Sequence, residues 1–184
     1  MLQENPVVLI VDDEKVNLKL LSDLLQNDAQ IILAKNGRQA LEKINKQLPD
    51  LILLDVVMPD MDGFEVLQEL KSKTRTKLIP VIFVTGLTDV EFEEKGIALG
   101  ASDYILKPFH NAVVKARVKL HLHLVRQRKM LEKLALIDPL TELPNRRKFE
   151  EMLNVEWRLA LRTRTCLSIG LLNLDGFKRI NEQY

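Results

Sequence analysis

Up to Phe109 the apolar positions of this chain fall into short continuous runs separated by segments of mixed character. The runs are Val7-Val8-Leu9-Ile10-Val11, Ile31-Ile32-Leu33, Leu51-Ile52-Leu53-Leu54, Val81-Ile82-Phe83-Val84 and Tyr104-Ile105-Leu106. They are rich in β-branched residues and predict strands. The intervening segments have helical spacing: Val16, Leu20 and Leu24 share one stripe, as do Ala40 and Ile44. Strands that are apolar throughout are covered on both faces, as in a parallel sheet. Five such strands alternating with helices predict a doubly wound α/β domain, whose ligands sit at the carboxyl ends of the strands.

After Pro108 the pattern changes. From Asn111 to Leu136 there is no Gly or Pro, and Leu120, Leu124, Leu131 and Leu134 recur at spacings of four, seven and three. This predicts one long helix with a narrow apolar seam, interrupted by Arg117 and Gln127 and ended by Asp138-Pro139. Residues 145–163 read as a further helix and Cys166 to Leu174 as a strand. No internal repeat or low-complexity stretch is visible.

Composition bounds the function. The 184 residues are 46% hydrophobic and 29% charged, which suits a globular protein with a real core. No apolar run is long enough to span a bilayer, and the first residues lack the basic-then-apolar pattern of a signal peptide. Cys166, the one cysteine, has no intramolecular partner and reads as a buried thiol. A cytoplasmic protein without membrane insertion is expected. The formal charge of +1 hides an asymmetry. Residues 1–109 carry 12 Lys and Arg against 18 Asp and Glu, and residues 110–184 carry 15 against 8. The basic half spreads its cations along helices with almost no interleaved aromatics and no helix-turn-helix pattern, so it reads as a solvated face and not a DNA-binding one.

The candidate chemistry lies at strand ends. Asp12 and Asp13 follow the first strand, Asp55 the third, Thr85 ends the fourth and Lys107 the fifth. A parallel sheet brings all of them to one edge. An acidic pair after a strand is often only a helix cap, and Lys-Pro often only a turn; together, at matched strand ends, they point to a site. Adjacent carboxylates repel and call for a cation, and hard oxygen ligands suit Mg²⁺. With Lys107 this can neutralise a phosphoryl group in transfer to Asp55, with Thr85 hydrogen-bonding a phosphoryl oxygen and Gly86 leaving room for its approach.

Residues 7–109 resemble a response-regulator receiver domain, through Val11-Asp12-Asp13-Glu14, Asp55-Val56-Val57-Met58-Pro59-Asp60-Met61-Asp62-Gly63, Val84-Thr85-Gly86 and Lys107-Pro108-Phe109. The resemblance implies a flavodoxin-like five-stranded parallel sheet and Asp55 as phosphoacceptor. It implies Asp13, Asp55 and the Val57 carbonyl as Mg²⁺ ligands, with Asp12 acting partly through water. It implies Thr85 and Tyr104 as a switch pair, a cis peptide before Pro108, and a sensor histidine kinase or phosphotransfer protein as donor. Val57 and Leu87, each two residues beyond Asp55 and Thr85, cannot orient or deprotonate a water, so the aspartyl phosphate is expected to last minutes or longer.

Asp138-Pro139-Leu140-Thr141-Glu142-Leu143-Pro144-Asn145-Arg146-Arg147 and Leu171-Leu172-Asn173-Leu174-Asp175-Gly176-Phe177-Lys178-Arg179-Ile180-Asn181 resemble the opening of a GGDEF domain, the diguanylate cyclase fold. That family condenses two GTP molecules into cyclic di-GMP, and the resemblance places Phe177 and Asn181 near guanine. Asn173 stands where the family usually has a metal-binding Asp, and an amide is a poorer Mg²⁺ ligand. Glu142 replaces a usual glycine. No GGDEF signature occurs before Tyr184, so a longer parent protein is expected. The domain reading is a receiver over 5–125, a helical linker over 126–137 and the start of a GGDEF-like domain over 138–184. The function expected is a response regulator that couples Asp55 phosphorylation to a cyclase-type output. It would act as a homodimer through the face of the fourth and fifth strands and the long helix, with GTP as the parent's substrate. The alternative is an adaptor with a catalytically degenerate GGDEF domain.

Overall fold

The computed structural model describes residues 5–86, 90–134, 136–138 and 141–172. The chain divides into two compact units, Met1–Lys129 and Met130–Tyr184.

The first unit alternates strands and helices: β1 (Val7–Val11), α1 (Lys15–Leu25), β2 (Gln30–Ala34), α2 (Gly37–Lys46), β3 (Leu51–Leu54), α3 (Gly63–Ser72), β4 (Val81–Thr85), α4 (Val90–Ala98), β5 (Asp103–Leu106) and α5 (Asn111–Leu134). The strands form one parallel sheet in the order β2-β1-β3-β4-β5. Successive side chains of a strand point to opposite faces, and here both faces are covered. Leu9, Val11, Ile52, Leu54, Val81 and Phe83 meet Ala40 and Ile44 of α2 and Phe64, Leu67 and Leu70 of α3. Val8, Ile10, Leu51, Leu53, Ile82 and Val84 meet Leu18, Leu21 and Leu25 of α1 and Val114 and Val118 of α5. Two-sided burial is why the strands read as continuous apolar runs, and each fully buried large side chain contributes about 1.5–3 kcal/mol.

The helical stripe of α1 differs from the expected one. Leu18, Leu21 and Leu25 face the sheet, Leu24 is partly buried, and Val16 and Leu20 are exposed. Leucines at 18, 20, 21, 24 and 25 support more than one stripe at helical spacing, and only the sheet's position selects among them. In α2, Ala40 and Ile44 are buried as read.

In α5 the buried positions are Val114, Val118 and Val125, whereas Leu120, Leu124 and Leu131 of the apolar seam are exposed. Beyond Val125 the helix stays bound to the first unit: Arg128 Nη1 donates to the Leu78 carbonyl at 2.6 Å, and Lys129 Nζ lies 2.5 Å from Asp50 Oδ1. Residues 126–129, read as linker from sequence, thus include anchors at the amino-terminal edge of the sheet, where Asp50 Oδ2 also accepts the Val7 N–H at 2.8 Å.

In the second unit, Asp138 Oδ1 accepts the Thr141 N–H at 2.8 Å and its hydroxyl at 2.9 Å, and Ile137 bridges Pro144 in antiparallel fashion. Glu142 takes the left-handed conformation at φ 57°, which accounts for a glycine preference at that place. Asn145 then caps α6 (Arg146–Thr163), its side chain accepting from the Lys148 N–H at 3.1 Å. Residues 166–172 do not form the expected strand. A strand is fixed by hydrogen bonds to a neighbouring strand, and the described residues supply none there. Cys166 is exposed, against the expectation of a buried thiol, because its segment has no packing partner among them. No helix of the described residues is long and apolar enough to cross a membrane.

Candidate phosphoacceptor site

Backbone hydrogen bonds continue the parallel ladder one residue past each strand and so fix the residues that follow. The Asp12 N–H donates to the Ala34 carbonyl at 3.2 Å, Asp55 N–H to Val11 at 2.9 Å, and Lys107 N–H to Thr85 at 2.8 Å. The loop after Asp55 is drawn back by a bond from the Gly63 N–H to the Val56 carbonyl at 2.9 Å. Gly63 approaches so closely that a Cβ there would lie 2.4 Å from the Asp55 carbonyl oxygen and 2.8 Å from Val56 Cα. Asp62 and Glu65 form a reciprocal capping box at the start of α3, so the Asp62-Gly63 pair serves the loop's geometry.

At this edge Asp12, Asp13 and Asp55 each offer a carboxylate oxygen within 4.8 Å of the others. Asp12 is 1% exposed and Asp55 6%, while Asp13 is open to solvent. The Lys107 ammonium bridges the two buried carboxylates, 2.7 Å from Asp12 Oδ2 and 2.6 Å from Asp55 Oδ2. Asp55 Oδ1 accepts the Val57 N–H at 3.3 Å, and the Val57 side chain is 59% exposed. The Lys107-Pro108 peptide is cis, as the sequence implied.

Burial pushes the Asp55 carboxyl above its ordinary pKa. The hydrogen bond and charge of Lys107 oppose that rise without cancelling it, and the Asp12 charge adds to it. For Lys107, burial alone would lower the pKa, but the bonds and charges of Asp12 and Asp55 outweigh it and hold the ammonium above its ordinary value. Lys107 is therefore a fixed positive charge facing an imperfectly neutralised acidic cluster. Three hard oxygen donors with one exposed member fit a small divalent cation.

Thr85 is fully buried at the end of β4. Tyr104 is half-buried on β5, its ring 6.3 Å edge-on from Phe83, which in turn meets Phe64 at 5.3 Å. A Cβ on Gly86 would meet nothing within 4 Å, in keeping with open space beside Thr85. Leu87, Asn173, Phe177 and Asn181 lie outside the described residues. Sequence reading missed Asn17, whose Nδ2 donates to Asp12 Oδ1 at 3.0 Å. Its only trace in sequence is a polar residue in the first helical turn after the acidic pair.

The family model for the response regulator receiver domain matches residues 8–119, and that for the diguanylate cyclase GGDEF domain matches residues 135–184. The chain belongs to the response regulator receiver family, with a GGDEF region following the receiver. It is 42% identical over 124 residues to a probable cyclic di-GMP phosphodiesterase of Vibrio cholerae serotype O1, which covers 67% of this chain and 28% of that protein. It is 40% identical over 113 residues to the response regulator PleD of Caulobacter vibrioides, covering 61% of this chain and 25% of PleD. The chain thus spans about a quarter of the length of these relatives. Among solved structures, the BeF3-activated DrrB receiver domain superimposes with a TM-score of 0.60 at 33% identity, covering 64% of this chain and 97% of that one. The Vibrio cholerae chemotaxis protein CheY4 gives 0.60 at 32% identity, covering 62% and 96%.

Proposed function

We propose that Asp55 accepts a phosphoryl group from the phosphohistidine of a sensor kinase or phosphotransfer protein, and that the change is passed to a cyclic di-GMP output in a homodimer. The observation that carries this reading is the Lys107 ammonium held between Asp12 and Asp55 beside the exposed Asp13. An Asp55 carboxylate oxygen attacks phosphorus, the bond from phosphorus to the donor nitrogen breaks, and its electron pair leaves with the imidazole. Lys107, already against Asp55 Oδ2, neutralises charge on the phosphoryl oxygens. Thr85 moves to hydrogen-bond one of those oxygens, and Tyr104 follows it inward. A Mg²⁺ ion held by Asp13, Asp55 and the Val57 carbonyl, with Asp12 acting partly through water, supplies further charge neutralisation.

The test is incubation of the purified chain with acetyl phosphate and Mg²⁺, followed by intact-mass and peptide mapping. One added phosphoryl group on Asp55, absent in Asp55→Asn and without Mg²⁺, is expected. Labelling that survives Asp55→Asn would overturn the assignment.

For the output, GTP is the proposed nucleotide, with Phe177 and Asn181 near its base. Asn173 favours a second reading, in which the GGDEF domain binds nucleotide or a partner without turnover. The relatives also argue for reading the output from its own residues, since proteins with a matching receiver carry different names for their activities.

A further inference from the structure

Asn17 sits in the first turn of α1, half-buried behind the acidic edge. Its Nδ2 donates to Asp12 Oδ1 at 3.0 Å and to Glu14 Oε2 at 3.1 Å. The same Asp12 oxygen accepts the Glu14 N–H at 2.9 Å, and the other oxygen accepts Lys107 Nζ at 2.7 Å. A carboxylate offers about four lone-pair sites, so protein donors occupy most of those on Asp12. Asp13, by contrast, makes no hydrogen bond among the described residues and is exposed. An amide between two carboxylates must present its NH₂ group, one hydrogen to each, because its oxygen would be repelled by both.

We propose that Asn17 is a positioning residue for phosphoryl transfer. By fixing the carboxylate plane of Asp12, it fixes the Lys107 ammonium beside the attacking oxygen of Asp55 and leaves Asp13 as the carboxylate free for the cation. The two aspartates of the pair thereby acquire separate tasks: Asp12 braces Lys107, and Asp13 faces the metal. The inference rests on Asp55 being the phosphoacceptor. Misplacement of a group that stabilises the transferring phosphoryl acts on the maximal rate and not on donor binding.

The experiment measures Asp55 phosphorylation of the full chain over a range of acetyl phosphate concentrations, for the wild type, Asn17→Ala and Asn17→Asp. Mg²⁺ affinity is measured by calorimetry and fold stability by urea titration. Loss of one hydrogen bond to a charged group predicts a maximal rate about tenfold lower in Asn17→Ala. KM for acetyl phosphate and the Mg²⁺ dissociation constant are expected to stay within about threefold. Alanine is a better helix former than asparagine, so a general weakening of α1 is not expected. Asn17→Asp, which replaces the donor by a third carboxylate, is expected to lose at least as much rate as Asn17→Ala. A wild-type maximal rate in Asn17→Ala, a loss confined to KM, or a Mg²⁺ dissociation constant that rises in step with the rate loss each overturns the proposal. Absence of Asp55 labelling in the wild type would instead overturn the underlying phosphoacceptor reading.

Discussion

Val57 lies two residues beyond Asp55, aliphatic and open to solvent, in a position where a polar side chain would be able to orient a water. Without such a group, hydrolysis of an aspartyl phosphate loses a contribution of about 10²-fold or more. A phosphorylated state lasting minutes or longer is expected in a phosphate-release time course without phosphatase, and Val57→Glu or Val57→Gln is expected to shorten it. A second residue-scale prediction concerns Asp103. Burial would raise its carboxyl, but the Arg117 guanidinium, the Tyr104 N–H and His121 together hold it below the ordinary value. A carboxyl depressed in the folded state contributes stability above its unfolded pKa, and that contribution disappears as pH falls through the folded value. Urea titration is therefore expected to find Asp103→Asn less stable than the wild type by about 1 kcal/mol near neutral pH. The difference should vanish below the ordinary carboxylate range. The carboxylates and Lys107 were legible at this scale because their places at strand ends follow from the strand pattern. Asn17 was not, because its contact with Asp12 depends on how α1 leaves the sheet.

Between elements, Gly63 joins β3 to α3 where a Cβ would press on backbone atoms of Asp55 and Val56. Backbone cannot turn aside as a flexible side chain can, so Gly63→Ala is expected to cost about 1–3 kcal/mol in urea titration and to slow Asp55 phosphorylation by shifting the loop. Helix α5 presents two apolar faces with different tasks. Val118→Ala, which opens a gap against the sheet, is expected to cost about 2 kcal/mol. Leu124→Ala lies on the exposed seam and is expected to change unfolding by no more than about 0.5 kcal/mol. If the seam joins two copies of the chain, Leu124→Ala also weakens self-association in sedimentation. A Leu124→Ala protein as strongly dimeric as the wild type would remove the seam from the interface. Strand positions could be read because both faces of each strand are buried. The α1 stripe was misread because its leucines satisfy more than one helical register.

At the scale of the whole molecule, a receiver and a GGDEF region follow one another along one chain. Full-length protein is expected to bind GTP, with cyclic di-GMP formation weak or absent because of Asn173. Product analysis after incubation with GTP and Mg²⁺ checks this, and full turnover would show that the amide serves as a metal ligand after all. Beryllofluoride with Mg²⁺ is expected to shift the chain toward a dimer in light scattering.

The sequence by itself determined the five parallel strands, the edge at which Asp12, Asp13, Asp55, Thr85 and Lys107 meet, and the two family likenesses. Each of these follows from local periodicity or from motif residues fixed relative to a strand end. Tertiary structure decided which leucines of α1 are buried, that α5 buries valines and exposes its leucine seam, and that Lys107 bridges Asp12 and Asp55. It also decided that Asn17 braces Asp12 and that Asp103 pairs with Arg117 and His121. These depend on the approach of segments far apart in the chain, or on the exit angle of a helix, and neither is encoded in the spacing of hydrophobic and polar residues.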